Sequence, residues 1–261
     1  MVRVVLAGTI SFSIYRRNNT AMSATADIHA YPKAENVFAA CAEFLVERLI
    51  AAVRARGVAR IALAGGGTPR RLYQLLAHRY RDALDWQAVE FYFGDERNVP
   101  LDHPDSNFRM ARLALFEPLG IQPHRTFPMI SDQQRDPERD ADAYEMALRR
   151  WTAGKVPRFD VTLLGLGSDG HFASLFPDTP ALGERERLVV VNPVAKLHGH
   201  RLTLTFPVFE AARDVVFLVL GEDKRPSLAR IRDGFAELPA ERLAAKRTTH
   251  WFVDRAAAGA P

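Results

Sequence analysis

Cys41 is the only cysteine among 261 residues, so an intramolecular disulfide is excluded. It sits in ENVFAACAEFLVERLIAAVRARG, where Val37, Phe38, Cys41, Phe44, Leu45 and Leu49 recur at helical spacing. A thiol on such a stripe is packing; a nucleophilic one needs an electropositive, partly exposed setting. No apolar run is long enough to span a bilayer, and the one inside MVRVVLAGTISFSIYRRNNTA is too short. A long basic block is also missing. The 35 basic and 31 acidic residues are interspersed and leave only +4, which argues against a nucleic-acid or membrane partner and is compatible with a small anionic substrate. There is no internal repeat, no low-complexity tract and no linker. Residues 22–261 are therefore expected to form one domain, monomeric and cytoplasmic. Residues 1–21 are set apart. Arg3 ahead of an apolar run, with AMSATA after it, has the look of a poor secretory signal. Met22 opens a plausible true start, so the stretch is read as a disordered or mistranslated extension.

What is present is a regular alternation of short apolar runs and helical stripes. A helix is expected over about 35–56, stopped by Gly57. ARIALAGGGTPRRLYQLLA then reads as strand, glycine turn and helix, with Thr68 as N-cap and Pro69 as first helical residue. VEFYF at 89–93 is a second strand, followed by the polar loop GDERNVPLDHPDSN and a helix capped by Ser106 or Asp105. Pro137 opens another helix carrying Tyr144, Leu148 and Trp151. FDVTLLGLG, LVVV, LTLTF, VVFLVL and HWFVD supply further strands. The pattern predicts an α/β fold, a largely parallel sheet with helices on both faces.

Three turns after strands carry polar chemistry. Gly65-Gly66-Gly67-Thr68-Pro69 leads from a strand into a helix, where unpaired N–H groups and the helix dipole suit an anion. It lacks the Lys-Ser/Thr ending of a Walker loop. By itself it fits a ligand-free tight turn equally well. Gly94-Asp95-Glu96-Arg97 lies past the next strand, where an acid and an arginine can orient hydroxyls or a phosphate; in isolation it also reads as a solvated loop. GLGSDGH at 165–171 spells G-x-G-x-x-G behind a strand. A dinucleotide site needs a full helix next and an acid about 20 residues on. Here Pro177 and Pro180 cut the helix short, and a nucleophile elbow fails because residue 166 is leucine. What remains is His171 on a turn facing the crevice, with Asp169 at hand to hold its tautomer. Imidazole there can take a proton from water and return it to a leaving group. A metal is not indicated: His198 and His200 form an H-x-H pair without carboxylate partners. Arg201, leading RLTLTF, and Lys224, in GEDKR, can reach the same crevice.

Together, ALAGGGTP, FYFGDERNVPLDHPDSNF, FDVTLLGLGSDGHFASLFPDTPAL, HRLTLTF, GEDK and HWFVDRAA resemble the 6-phosphogluconolactonase family, in the superfamily that also holds glucosamine-6-phosphate deaminase. The resemblance spans roughly residues 30–256. It implies a Rossmann-like sheet with neither nicotinamide cofactor nor metal. It implies hydrolysis of 6-phospho-D-glucono-1,5-lactone to 6-phosphogluconate in the oxidative pentose phosphate pathway. His171 matches the catalytic histidine, and Gly66, Gly67 and Thr68 match the phosphate-side turn. Arg201 and Lys224 stand where phosphate-binding cations are placed; Asp95, Arg97 and Asp169 match polar positions around the sugar. Gly67 stands where a serine is usual, Phe172 replaces a threonine and Asp178 replaces a glycine. The alternative is the amino-sugar phosphate deaminase. That branch carries an acid five residues past the histidine, where this chain has Phe176.

Overall fold

Apolar runs of four to seven residues pair side by side because burial on both faces lets a parallel strand be continuously hydrophobic. The computed structural model describes residues 10–15, 25–131, 136–194 and 199–259. In chain order its elements are β1 (Ile10–Tyr15), β2 (Thr25–Tyr31), α1 (Ala34–Arg56), β3 (Ala59–Leu63), α2 (Gly67–Arg79), β4 (Val89–Phe93), β5 (Asp95–Arg97), α3 (Asn107–Ala111), α4 (Glu117–Leu119), α5 (Pro137–Thr152), β6 (Val161–Leu164), β7 (Val189–Val194), β8 (Gly199–Leu204), α6 (Phe206–Ala211), β9 (Asp214–Val219), α7 (Arg225–Arg232), α8 (Pro239–Lys246), β10 (Thr249–Asp254) and α9 (Arg255–Ala258). The main sheet has the order β1-β2-β10-β9-β6-β3-β4. Six of its strands run parallel, and β1 pairs antiparallel with β2 at the edge. Of the stretch 1–21, only that edge strand is described; the rest of it, like Met22, lies outside the described residues.

Side chains alternate across the sheet, and the aromatic residues show which helix covers which face. Phe44 of α1 lies 4.8 Å from His250 and 5.4 Å from Phe252 of β10, ring centre to ring centre. Trp251, between them in sequence, stacks at 3.8 Å on Phe217 of β9. Phe217 continues to Phe172, whose buried ring meets Phe206 and Phe209 of α6 edge-on. The aromatic ring at 172 thus fills the core. Cys41, on the inner face of α1, is fully buried, and burial pushes its thiol up, away from reactivity.

Two expectations are corrected. Thr68 does not cap α2: the helix begins at Gly67 with Gly66 as N-cap. Gly66 has φ +101°, a conformation that glycine alone adopts without strain, so the backbone turns one residue earlier than a threonine cap would require. Second, the runs LVVV and RLTLTF leave the parallel sheet. β7 and β8 join β5 in a separate antiparallel sheet ordered β5-β8-β7. Gly94 makes the switch: its N–H donates to Leu63 O in the main sheet at 2.9 Å, and its carbonyl accepts from Leu204 N in the small one, also at 2.9 Å. Other signals hold. Gly57 closes α1 in the left-handed region. Ser106, not Asp105, caps α3, its Oγ accepting from Arg109 N at 3.1 Å. Only a short 3-10 turn, at Pro180–Leu182, follows His171 before β7.

Asp178 has φ +60°. Left-handed backbone costs a residue with a side chain about 1–2 kcal/mol, somewhat less for aspartate. Asp178→Gly is therefore expected to stabilise the fold by up to about 1 kcal/mol, read as a higher urea midpoint at unchanged m-value. A lower midpoint would contradict the left-handed turn.

Candidate active site

Parallel strands deliver their carboxyl ends to one edge, and ligands gather where the connections diverge. Here β3 leads outward to β4, while β6, its other neighbour, leads on to β9 in the opposite direction. A cavity of about 400 Å³ lies at this point, against residues 64–65 after β3 and 165–167 after β6. Two tyrosine hydroxyls hold the strand ends. Tyr73 of α2 accepts from Ala64 N at 3.0 Å and donates to Ala64 O at 2.8 Å. Tyr144 of α5 does the same for Phe93, at 2.8 and 3.2 Å. Each saturates a backbone group where strand pairing stops.

The turn after β6 closes on itself. Gly170 N donates to Gly167 O at 3.0 Å, and Gly167 N donates to His171 O at 2.8 Å. This brings Asp169 Oδ1 to 2.5 Å from His171 Nδ1, and the same oxygen accepts from His171 N at 3.2 Å. A carboxylate at Nδ1 favours the tautomer with the proton there, leaving Nε2 as the basic nitrogen. A Cβ at Gly167 would overlap the imidazole, so only glycine lets the ring lie flat over the turn. From outside, Ser227 of α7 donates to Ser168 O at 2.8 Å and Ala240 N of α8 donates to Gly170 O at 3.0 Å.

The small sheet supplies positive charge. Arg97 on β5 and Arg201 on β8 are direct cross-strand partners. Burial, together with the Arg97 guanidinium beside it, pulls Arg201 below the ordinary arginine value. Two like charges in register repel unless an anion joins them. Lys224 reaches the cavity from the turn after β9, its Nζ 2.8 Å from Asp223 Oδ2. Asp95 sits between the cations and the His171 loop. Its Oδ2 accepts from Ser174 Oγ at 2.6 Å; Asn107 Nδ2 donates to its backbone oxygen at 2.9 Å and to Oδ1 at 3.3 Å. Glu96 faces away and is buried, accepting from the N–H groups of Arg97, Asn107 and Phe108 at 2.7–2.8 Å. Burial raises its carboxyl above the ordinary glutamate value, against the pull of those donors; its role is to fasten β5 to the start of α3.

His171, Asp95, Arg97, Arg201 and Lys224 thus share one cavity, with Asp169 directly behind the imidazole. Gly65 is in the wall. Gly66 and Gly67, both exposed, and the half-buried Thr68 continue from it at the rim, outside that wall. Sequence reasoning missed Asn107, Ser174 and the wall role of Phe176. Their only signal was membership in the D-S-N and A-S-L-F-P segments. Of the H-x-H pair, His200 is exposed on β8 and His198 lies outside the described residues. Among the described residues, no helix is long and apolar enough to cross a membrane.

Residues 32–251 match the model of a family described as glucosamine-6-phosphate isomerases/6-phosphogluconolactonase, and the chain belongs to that family. A 6-phosphogluconolactonase of Synechocystis sp. is 44% identical over 216 residues, covering 80% of this chain and 88% of that one. One from Nostoc sp. is 36% identical over 239 residues, covering 89% and 97%. The solved 6-phosphogluconolactonase from Trypanosoma cruzi superposes with a TM-score of 0.79 at 33% identity, covering 91% and 97%. Within the family the chain stands with these lactonases, as a carboxylic ester hydrolase of sugar-phosphate metabolism.

Proposed function

We propose that this protein hydrolyses 6-phospho-D-glucono-1,5-lactone to 6-phospho-D-gluconate, with His171 as general base on water. One observation carries the reading: the Asp169–His171 pair opens into the same cavity as Arg97, Arg201 and Lys224. A lactone with a phosphate at its far end asks for that combination of a base at one side and cations at the other. The phosphate docks against the cations, with the Gly66–Thr68 rim adding backbone N–H groups. C1 then lies beside Nε2. The imidazole takes a proton from water as the oxygen attacks C1, and charge builds on the carbonyl oxygen. Preorganised donors along the wall stabilise that charge. The imidazolium next protonates the ring oxygen as the C1–O bond breaks, and Asp169 stabilises the cation throughout.

The deciding experiment generates the lactone in situ and follows its disappearance with and without protein. Acceleration above spontaneous opening supports the reading. Binding of 6-phosphogluconate without acceleration would make the protein a sensor, and ammonia release from glucosamine 6-phosphate would favour the deaminase alternative.

The rim is tested separately. A Cβ at Gly67 meets nothing within 4 Å, so Gly67→Ser fits without rearrangement and restores a hydroxyl. One added hydrogen bond is worth about 0.5–1.5 kcal/mol, so KM is expected to fall by about two- to tenfold at unchanged kcat. An unchanged KM would place the phosphate away from the rim.

A further inference from the structure

We infer that Phe176 is a positioning residue for the imidazole, fixing the plane of His171 during turnover. The inference rests on the reading of His171 as the base. The Phe176 ring stacks on the imidazole with centroids 4.1 Å apart and planes 27° from parallel. It lines the cavity and is only half-buried. The neighbouring apolar side chains of this loop, Phe172 and Leu175, turn into the core and are almost completely covered. An apolar ring left beside polar and cationic groups gains little from burial, so core packing does not account for its place.

The segment that carries the ring is tied down. Pro177 follows and restricts Phe176 to extended backbone. The carbonyl of Phe176 accepts from Thr179 Oγ1 at 2.7 Å. Buried Asn192 of β7 donates to Thr179 Oγ1 at 3.0 Å and to Ser174 O at 2.8 Å. The ring is therefore presented to the imidazole from a fixed backbone.

Asp169 holds one ring edge through Nδ1, and the stacked Phe176 face resists movement of the ring out of its plane, so Nε2 points the same way before and after it takes the water's proton. The aromatic face also attracts a cation. Protonated His171 shares the cavity with Arg97, Arg201 and Lys224, against the carboxylates of Asp95 and Asp169. Phe176 opposes that crowding of positive charge without adding a competing proton acceptor.

The test compares wild type, Phe176→Leu, Phe176→Tyr and His171→Ala in lactone hydrolysis. Phe176→Leu keeps apolar bulk but loses the π face; kcat is expected to fall about tenfold with KM within about twofold. Phe176→Tyr keeps the face and should retain kcat. By NMR, the His171 ring protons should resonate upfield in wild type through the ring current and return downfield in Phe176→Leu. Wild-type kcat in Phe176→Leu, a raised KM at unchanged kcat, or unmoved ring resonances would each overturn the inference. If His171→Ala loses turnover while Phe176→Leu does not, only this inference fails. If His171→Ala keeps turnover, the base assignment itself falls.

Discussion

Replacing His171 with alanine is expected to lower kcat for the lactone by about 10²–10⁴-fold, the usual contribution of a positioned general base. KM should change little, because Arg97, Arg201 and Lys224 approach from other elements. The fold should survive. The imidazole is 29% exposed, and its removal opens no enclosed void. Its backbone carbonyl still accepts from Gly167 N, so the turn stays closed. Turnover corrected for spontaneous opening, with a thermal melt alongside, checks both halves. Near-normal hydrolysis by a folded variant refutes the role.

Gly167→Ala is expected to be nearly as damaging although it removes no functional group. The added methyl would overlap the imidazole and approach Asp169 Oδ1 to 2.7 Å. Neither neighbour yields easily. The histidine backbone is tied to Gly167 itself, and the carboxylate is held by the ring nitrogen it orients. The ring has to swing off Asp169 and out of its stack on Phe176. Misplacement of a reacting group by about 1 Å can cost 10²-fold, so kcat should fall by about that factor. The same methyl at Gly67 meets nothing within 4 Å, so kcat should hold there and any change should fall on KM. Wild-type kcat in Gly167→Ala would mean that the imidazole works from another position.

The parallel sheet was legible because strands buried on both faces are written as unbroken apolar runs. VEFYF was assigned to its residue, 89–93, and β4 occupies those positions. The small sheet was not legible as a unit. Its strand β5 is Asp-Glu-Arg, which has no hydrophobic period and reads as a loop. The misplaced cap at Thr68 has a similar origin, since the positive φ of Gly66 leaves no trace in composition. In the site, His171, Asp95, Arg97, Arg201 and Lys224 could be named because each follows or leads a recognisable strand. Asn107 and Ser174 act through half-buried bonds to Asp95, a residue 12 and 79 positions away in sequence, and only tertiary structure brings those partners together. The stack of Phe176 on His171 was hidden in the same way: at five residues' separation, a turn decides whether two rings meet.

Gly94 gives its two backbone groups to different sheets, and it does not stand alone. Ser174, on the loop of the base, donates to Asp95 of β5 and accepts from Asn192 of β7. The plate that carries the guanidinium pair is thus riveted to the scaffold of the proton acceptor at several points. The span from charge to imidazole is a fixed gauge, and a sugar phosphate much longer or shorter than that gauge cannot present its ester carbon to the ring.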